Sequence, residues 1–275
     1  FLGWGVGDIF AVVATRKIGG YSSALWDLVL RLIIFSVYIP FALNELKFLS
    51  PNLFLLIVLL GFSWLIGVIS FYKALGIGNT SLVGTIAASF SAVVVIFSIV
   101  FLKENVTNLQ AFSIIIIFLG LLLSTLKLKE IKTAKFNLGK DVFFAFIAMF
   151  AWGVYFTFIK IPVRQIGWFW PTYLSSITFL LILLFAKVKN IKINKPNLNN
   201  ALFPLFLAVL LAGLANFSFN FGVGQGLTAI VAPIAGSYPV LFVILTRFIF
   251  KEPLSRQQVG GIITALLGIV LLSLV

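Results

Sequence analysis

The stretch Phe71–Phe90, FYKALGIGNTSLVGTIAASF, returns as Phe219–Tyr238, FNFGVGQGLTAIVAPIAGSY, at an offset of 148 residues. Gly76 meets Gly224, Gly78 meets Gly226, Thr80 meets Thr228 and Ser89 meets Ser237. The same offset, with no insertion, carries Trp4-Gly5-Val6 onto Trp152-Gly153-Val154, Phe10 onto Phe158, Arg16 onto Arg164 and Ile18-Gly19 onto Ile166-Gly167. It also carries Lys103-Glu104 onto Lys251-Glu252, Gln110 onto Gln258 and Gly120 onto Gly268. Biased composition scatters Leu and Ile matches. It does not hold Trp-Gly pairs, Lys-Glu pairs and spaced glycines in one register, so the chain is an internal duplication.

The medium of each copy follows from hydropathy. Of 275 residues, 61% are hydrophobic and 10% charged, and the mean hydropathy is +1.18, which excludes a water-soluble fold. The apolar residues fall into ten runs of about 17 to 23, the length that crosses a hydrocarbon layer. They are Leu2 to Ile18, Ser22 to Leu43, Leu53 to Leu75, Ser81 to Leu102 and Asn108 to Leu126, then Val142 to Ile161, Trp168 to Ala186, Ala201 to Phe221, Thr228 to Phe250 and Gln257 to Val275. We therefore expect an all-α polytopic membrane protein of ten transmembrane helices. Residues 1–126 form a first five-helix repeat, 127–140 (KLKEIKTAKFNLGK) a connecting loop, and 141–275 a second repeat. Because each repeat holds an odd number of spans, the second enters the membrane from the opposite side. This is the inverted repeat of secondary transporters.

Several chemistries are excluded. The chain has no cysteine and no histidine, which removes disulfides, thiolate nucleophiles, imidazole bases and the usual zinc, haem and iron–sulfur sites. No metal, cofactor or catalytic residue is expected. The formal charge of +13 does not point to nucleic acid, because the cations sit between apolar runs rather than on one face of a soluble domain. The expected partners are the lipid bilayer and a small-molecule substrate. Phe1 opens the sequence and Met149 is its one methionine, so residues are expected before Phe1.

The Trp-Gly opening of spans one and six, the FYxAL-type segment Phe71–Leu75, the small-residue fourth and ninth spans and the turns Leu102-Lys103-Glu104 and Phe250-Lys251-Glu252 together resemble the EamA-type branch of the drug/metabolite transporter superfamily. The second copy departs from the pattern where Phe71-Tyr72-Lys73-Ala74-Leu75 becomes Phe219-Asn220-Phe221-Gly222-Val223. The resemblance implies a central cavity lined by spans one, three, four, six, eight and nine, peripheral fifth and tenth spans, and export or exchange of amino acids, nucleosides, sugars or other small metabolites.

Candidates for substrate contact are Trp4, Trp64, Phe90, Trp152, Tyr155 and Tyr238 as aromatic lining, with Asn216, Asn220 and Ser237 fixing polar groups. The alternative for Trp and Tyr is an interfacial belt, which is the expected place of Trp168 and Trp170. Asp8 is a carboxylate within a span, suited to a cationic group or a proton relay, or else paired with a lysine. Tyr72 is a further cavity candidate beside Lys73, and Lys73 and Lys160 near Pro162 either hold an anionic group or sit at the interface. Asp27 and Arg31 are spaced i, i+4 and can pair on one helical face, as a gate or as a structural pair. Pro233 and Pro239 interrupt span nine where the first copy has Thr85 and Ser91, which predicts a kink in one half only. Gly260, Gly261 and Gly268 read as close helix contacts.

Lys and Arg concentrate on the side that holds Arg16, Lys17, the connecting loop and Lys187–Lys195. The positive-inside rule makes that side cytoplasmic, whereas the resemblance implies cytoplasmic termini. Both place the two termini on one side. The expected function is secondary transport. Its rivals are a membrane-embedded enzyme on lipid-like substrates, disfavoured by the scattered acidic residues, and a channel, disfavoured by the lack of a charged ring or filter loop.

Overall fold

The computed structural model describes residues 1–77, 80–125, 139–198, 201–249 and 254–275. Gly78, the connecting loop up to residue 138, the Lys251-Glu252 turn and the side chains of Tyr72 and Arg247 lie outside the described residues.

Every regular element among them is helical. In the first half, α1 is Leu2–Ile18, α2 is Gly20–Phe35 continued by short helical turns including α3, Ile39–Ala42, and α4 is Pro51–Ile77. The fourth span divides into α5, Thr80–Ala88, and α6, Phe90–Phe101, and the fifth is α7, Asn108–Thr125. In the second half, α8 (Lys140–Phe158) and α9 (Lys160–Ile166) make the sixth span, and α10 (Trp170–Ser175) and α11 (Phe179–Val188) the seventh. The eighth is α12, Leu202–Gln225; the ninth is α13, Thr228–Gly236, with α14, Tyr238–Ile249; the tenth is α15, Arg256–Ser273. Nine helices of the described residues are long and apolar enough to cross a membrane, the shortest with 18 residues. With 17 residues, or about 25 Å at the α-helical rise, α1 supplies the tenth.

Side-chain placement is inverted relative to a soluble protein. Along α7, Ser113, Ile117, Gly120 and Ser124 are buried while Phe112, Ile115 and Leu119 face outward; along α15, Gly261, Ala265 and Gly268 are buried while Ile263, Leu267 and Val270 face outward. Such apolar outer faces suit lipid and not water. Without a hydrophobic drive between helices, small residues let backbones approach and dispersion holds them. A Cβ on Gly120 would collide with the Ala265 backbone, and one on Gly268 would stand 2.8 Å from the Ile117 nitrogen. Residues 117 and 265, and 120 and 268, are repeat-matched, so exchanging the two repeats maps this contact onto itself. Gly261 meets Leu123 and Ser124, whereas Gly260 has nothing within 4 Å, which corrects its expected role as a contact.

The chain forms two compact units, one of Phe1, Ile66–Thr157 and Gly226–Val275, the other of Leu2–Leu65 and Phe158–Gln225. Each draws on both sequence halves. In the second unit α1 packs on α12, burying Ala14 and Ile18 with Ala201, Leu205 and Val209. In the first, α15 packs on α7 and α13 on α6 and α7.

The repeat is visible in backbone conformation. Gly19 (φ 86°, ψ 157°) begins α2 and its match Gly167 (φ 73°, ψ 174°) ends α9, a left-handed φ that favours glycine. The fourth and ninth spans both break at the matched serines, Ser89 (φ −71°, ψ 4°) and Ser237 (φ −80°, ψ 5°). This corrects the expectation of a kink in one half only. In the ninth span Pro233 and Pro239 withhold N–H donors. In the fourth, which lacks both prolines, Ser89 Oγ donates to the Thr85 carbonyl at 2.9 Å, a back-bond that bends helices. Ser237 Oγ likewise bonds back into its own helix, one residue nearer, to the Ile234 carbonyl at 2.7 Å.

Candidate functional site

In the first unit an aromatic cluster gathers on α8. Trp152 lies 5.3 Å from Phe71 and 6.3 Å, edge-on, from Phe90; Phe90 stacks on Phe156 at 4.9 Å, and Tyr155 meets Phe156 at 5.1 Å. Phe90, Tyr155 and Phe156 are buried and Trp152 is half-buried. Gly67 permits the approach, since a Cβ there would collide with the Trp152 indole. The cluster thus unites three candidates with Phe71 and Phe156, which sequence reasoning did not single out. Phe71 was marked by its match to Phe219. Ser237 is buried with its hydroxyl bonded to its own helix, so its geometry belongs to the helix break. Tyr238 opens α14, half-buried. Lys73 is exposed, its Nζ 5.3 Å from the Phe144 ring centre, a cation–π distance.

In the second unit Trp4 Nε1 donates to Asn216 Oδ1 at 3.2 Å, and the indole lies 5.9 Å from Phe219. The Trp4–Phe219 pair is the repeat image of Trp152–Phe71. Asn216 is not repeated, because Val68 holds its matched position. Asp8 is half-buried one turn beyond Trp4, on the same helical face, and forms no ion pair among the described residues. Asn220 Nδ2 donates to the Trp168 carbonyl and to Thr172 Oγ1, both at 2.8 Å. Its amide thereby braces the start of α10. Lys160, 4% exposed, opens α9, and Trp64 is half-buried in α4.

Arg31 Nη2 donates to Asp27 Oδ2 at 2.7 Å, joining the i, i+4 pair, and Arg31 is only 3% exposed. The arginine therefore does not snorkel outward. Trp170 also departs from expectation. It is 4% exposed and donates to the Ala42 carbonyl at 2.8 Å within a cluster of Phe35, Phe169 and Phe217. It is a core residue rather than part of a belt.

Sequence reasoning missed the task of Glu104. Buried in the turn before α7, it accepts from the Thr228 and Ala229 amides at 2.9 and 2.8 Å. It thereby caps α13, whose own N-cap residue, Leu227, supplies no side-chain acceptor. A carboxylate there satisfies two orphan amides and complements the helix dipole. Among the described residues no three His, Cys, Asp or Glu side chains group to hold a metal.

Ten apolar helices in two inverted repeats, with matched aromatic pairs and matched helix breaks, define a polytopic membrane protein of the transporter type. The model of the EamA-like transporter family matches residues 1–126 and 139–274, and the chain belongs to that family, a branch of the drug/metabolite transporter superfamily. A solved crystal structure of a protein shares the fold at a TM-score of 0.73 and 14% sequence identity, over 99% of this chain and 94% of that one. No curated protein matches the sequence.

Proposed function

We propose that the protein is a secondary transporter that exports or exchanges a small metabolite such as an amino acid, by alternating access around a central site. The observation that carries this reading is the pairing of the halves at the residue level. Trp4–Phe219 and Trp152–Phe71 are images of one another, and Ser89 and Ser237 break matched spans in the same conformation. Two related elements with equivalent hinges suit a rocking exchange between two states. The aromatic groups supply affinity for an amphipathic solute. Asn216 supplies a polar contact beside Trp4 in the second unit, Tyr238 and Lys73 supply polar groups in the first, and the Asp27–Arg31 pair is structural.

Asp8 is the coupling carboxylate in this reading. A span-embedded acid without an ion pair is suited to binding a proton or an ammonium group. The first test is thermal stability of the purified protein across amino acids, nucleosides, sugar phosphates and cationic drugs, since a ligand at a hundred times its Kd adds about 2.7 kcal/mol. A saturable shift with one class names the cargo, and no shift with any class counts against a small-metabolite transporter. With that cargo in proteoliposomes, Asp8→Asn abolishes flux driven by a pH gradient. Retained pH-driven flux in that variant removes Asp8 from coupling.

A further inference from the structure

The basic residues of the second unit are unevenly placed. Arg16 and Lys17 end α1, Lys187 lies in the last turn of α11, and Lys189, Lys192 and Lys195 follow it; all six are exposed. The segments Arg16–Trp26 and Lys187–Leu198 contain no acidic residue. At the opposite end of the same spans stand Lys47 and Arg164, with Glu45 against Gly167.

Specific bonds bring the six cations together. Asn194 donates from Nδ2 to the Ile18 carbonyl, while its backbone amide donates to Ser22 Oγ, both at 3.0 Å. Trp26 Nε1 donates to the Asn194 carbonyl at 3.1 Å. Ile193 packs against the Leu25, Leu28, Leu65 and Ile182 cluster. The exit from α11 is closed by Asn190 at φ 52° and by the Ile191 amide on the Ala186 carbonyl at 2.8 Å, a glycine-type helix stop. The loop is thus fastened across the α1–α2 turn with its lysines outward. Val188 and Leu198, 67% and 81% exposed, stand among those lysines, and Tyr21 stacks on Phe185 at 5.9 Å beside them.

We propose that this patch is a docking site for the headgroups of anionic phospholipids. A soluble phosphate would use the cations alone. A phospholipid also meets Val188 and Leu198 with its acyl region, and Tyr21 and Trp26 are the ring types that lodge at the headgroup level. Clustered cations beside a membrane span attract anionic lipid, each adding to the binding. The loop holds the cations as one surface, and bound lipid in turn fastens the loop to α1 and α2.

The test places the full chain in nanodiscs of phosphatidylcholine with increasing phosphatidylglycerol, reading thermal stability and retained lipid by native mass spectrometry. Wild type shows a saturable rise that fades between low and high salt. The variant K187Q/K189Q/K192Q/K195Q, unchanged in pure phosphatidylcholine, loses apparent phosphatidylglycerol affinity on the order of a thousandfold. Asn194→Ala, which keeps every charge, shows a smaller loss in the same direction. The variant K127Q/K129Q/K132Q/K135Q removes equal charge and leaves the rise intact. The proposal is overturned by a flat wild-type response, by an undiminished rise in the loop variant, by equal losses in both quadruple variants, or by inorganic phosphate reproducing the effect.

Discussion

At the residue scale, buried charge makes the sharpest demands. Glu104 has both carboxylate oxygens engaged by α13 amides, and hydrogen bonds to a charged group contribute about 1.5 to 3 kcal/mol each when buried. Glu104→Ala therefore lowers stability by about 3 kcal/mol, while Glu104→Gln, with one carbonyl oxygen left to accept, loses about half as much. The melting temperatures of the two purified variants check this order, and equal melting would remove the cap from the account. Arg31 poses the complementary case. Asp27→Asn leaves a buried guanidinium without its countercharge, a loss of about 3 kcal/mol, whereas the double change Asp27→Asn, Arg31→Met recovers most of it. Pairing of Asp27 with Arg31 was legible in the sequence because i, i+4 spacing is local. The Glu104 cap was not, since 124 residues separate donor from acceptor and helix caps supplied by a distant segment leave no spacing to read. Trp170 misled for a similar reason. Its hydrogen bond runs to Ala42 across 128 residues, and a tryptophan at a span end has the same local pattern whether it faces lipid or a neighbouring helix.

At the element scale, the ten spans were legible because a hydrocarbon layer sets a minimum apolar length that does not depend on tertiary context. Breaks within spans were less so. Proline announces a break, and Pro233 and Pro239 accordingly drew attention to span nine, but the equivalent break at Ser89 arises from a hydroxyl back-bond that serine does not always form. The matched pair Ser89 and Ser237 carried the signal, in a form visible only by laying one half on the other. Glycine required the same care. Gly260 and Gly261 are neighbours in sequence, yet only the second faces a partner helix, because 100° of helical rotation separates them. Gly120→Leu drives a side chain into the Ala265 backbone and lowers stability by about 3 kcal/mol. Gly260→Leu, with open space around it, changes stability by less than about 0.5 kcal/mol apart from a gain in helix propensity. Thermal unfolding of the two variants, followed by tryptophan emission, distinguishes the seam from the outer face, and similar losses in both would show that α7 and α15 are not held by that contact.

At the scale of the whole molecule, duplication and compactness divide the chain differently. The family model recognises two successive halves, whereas each compact unit joins segments of both. Sequence similarity follows descent, and compactness follows contacts, so the repeat could be read from the sequence and the units could not. Which helices face a substrate was equally hidden, because lining depends on the rotation of each helix and the repeat fixes only correspondence. Inversion, by contrast, has a direct consequence for the matched arginines. Five spans separate equivalent positions, an odd number, so Arg16 and Arg164 must emerge on opposite faces of the membrane although they occupy the same place in their repeats. Both are exposed, and the chain has no cysteine, so single replacements Arg16→Cys and Arg164→Cys report alone. In sealed vesicles a membrane-impermeant thiol reagent labels one of the two and spares the other until the membrane is opened. Lys192→Cys, whose loop is bonded to the α1–α2 turn through Asn194, labels with Arg16→Cys, and Lys47→Cys labels with Arg164→Cys. Labelling of both arginine positions from one face would require an even number of crossings between them and would replace the inverted pair with a parallel one.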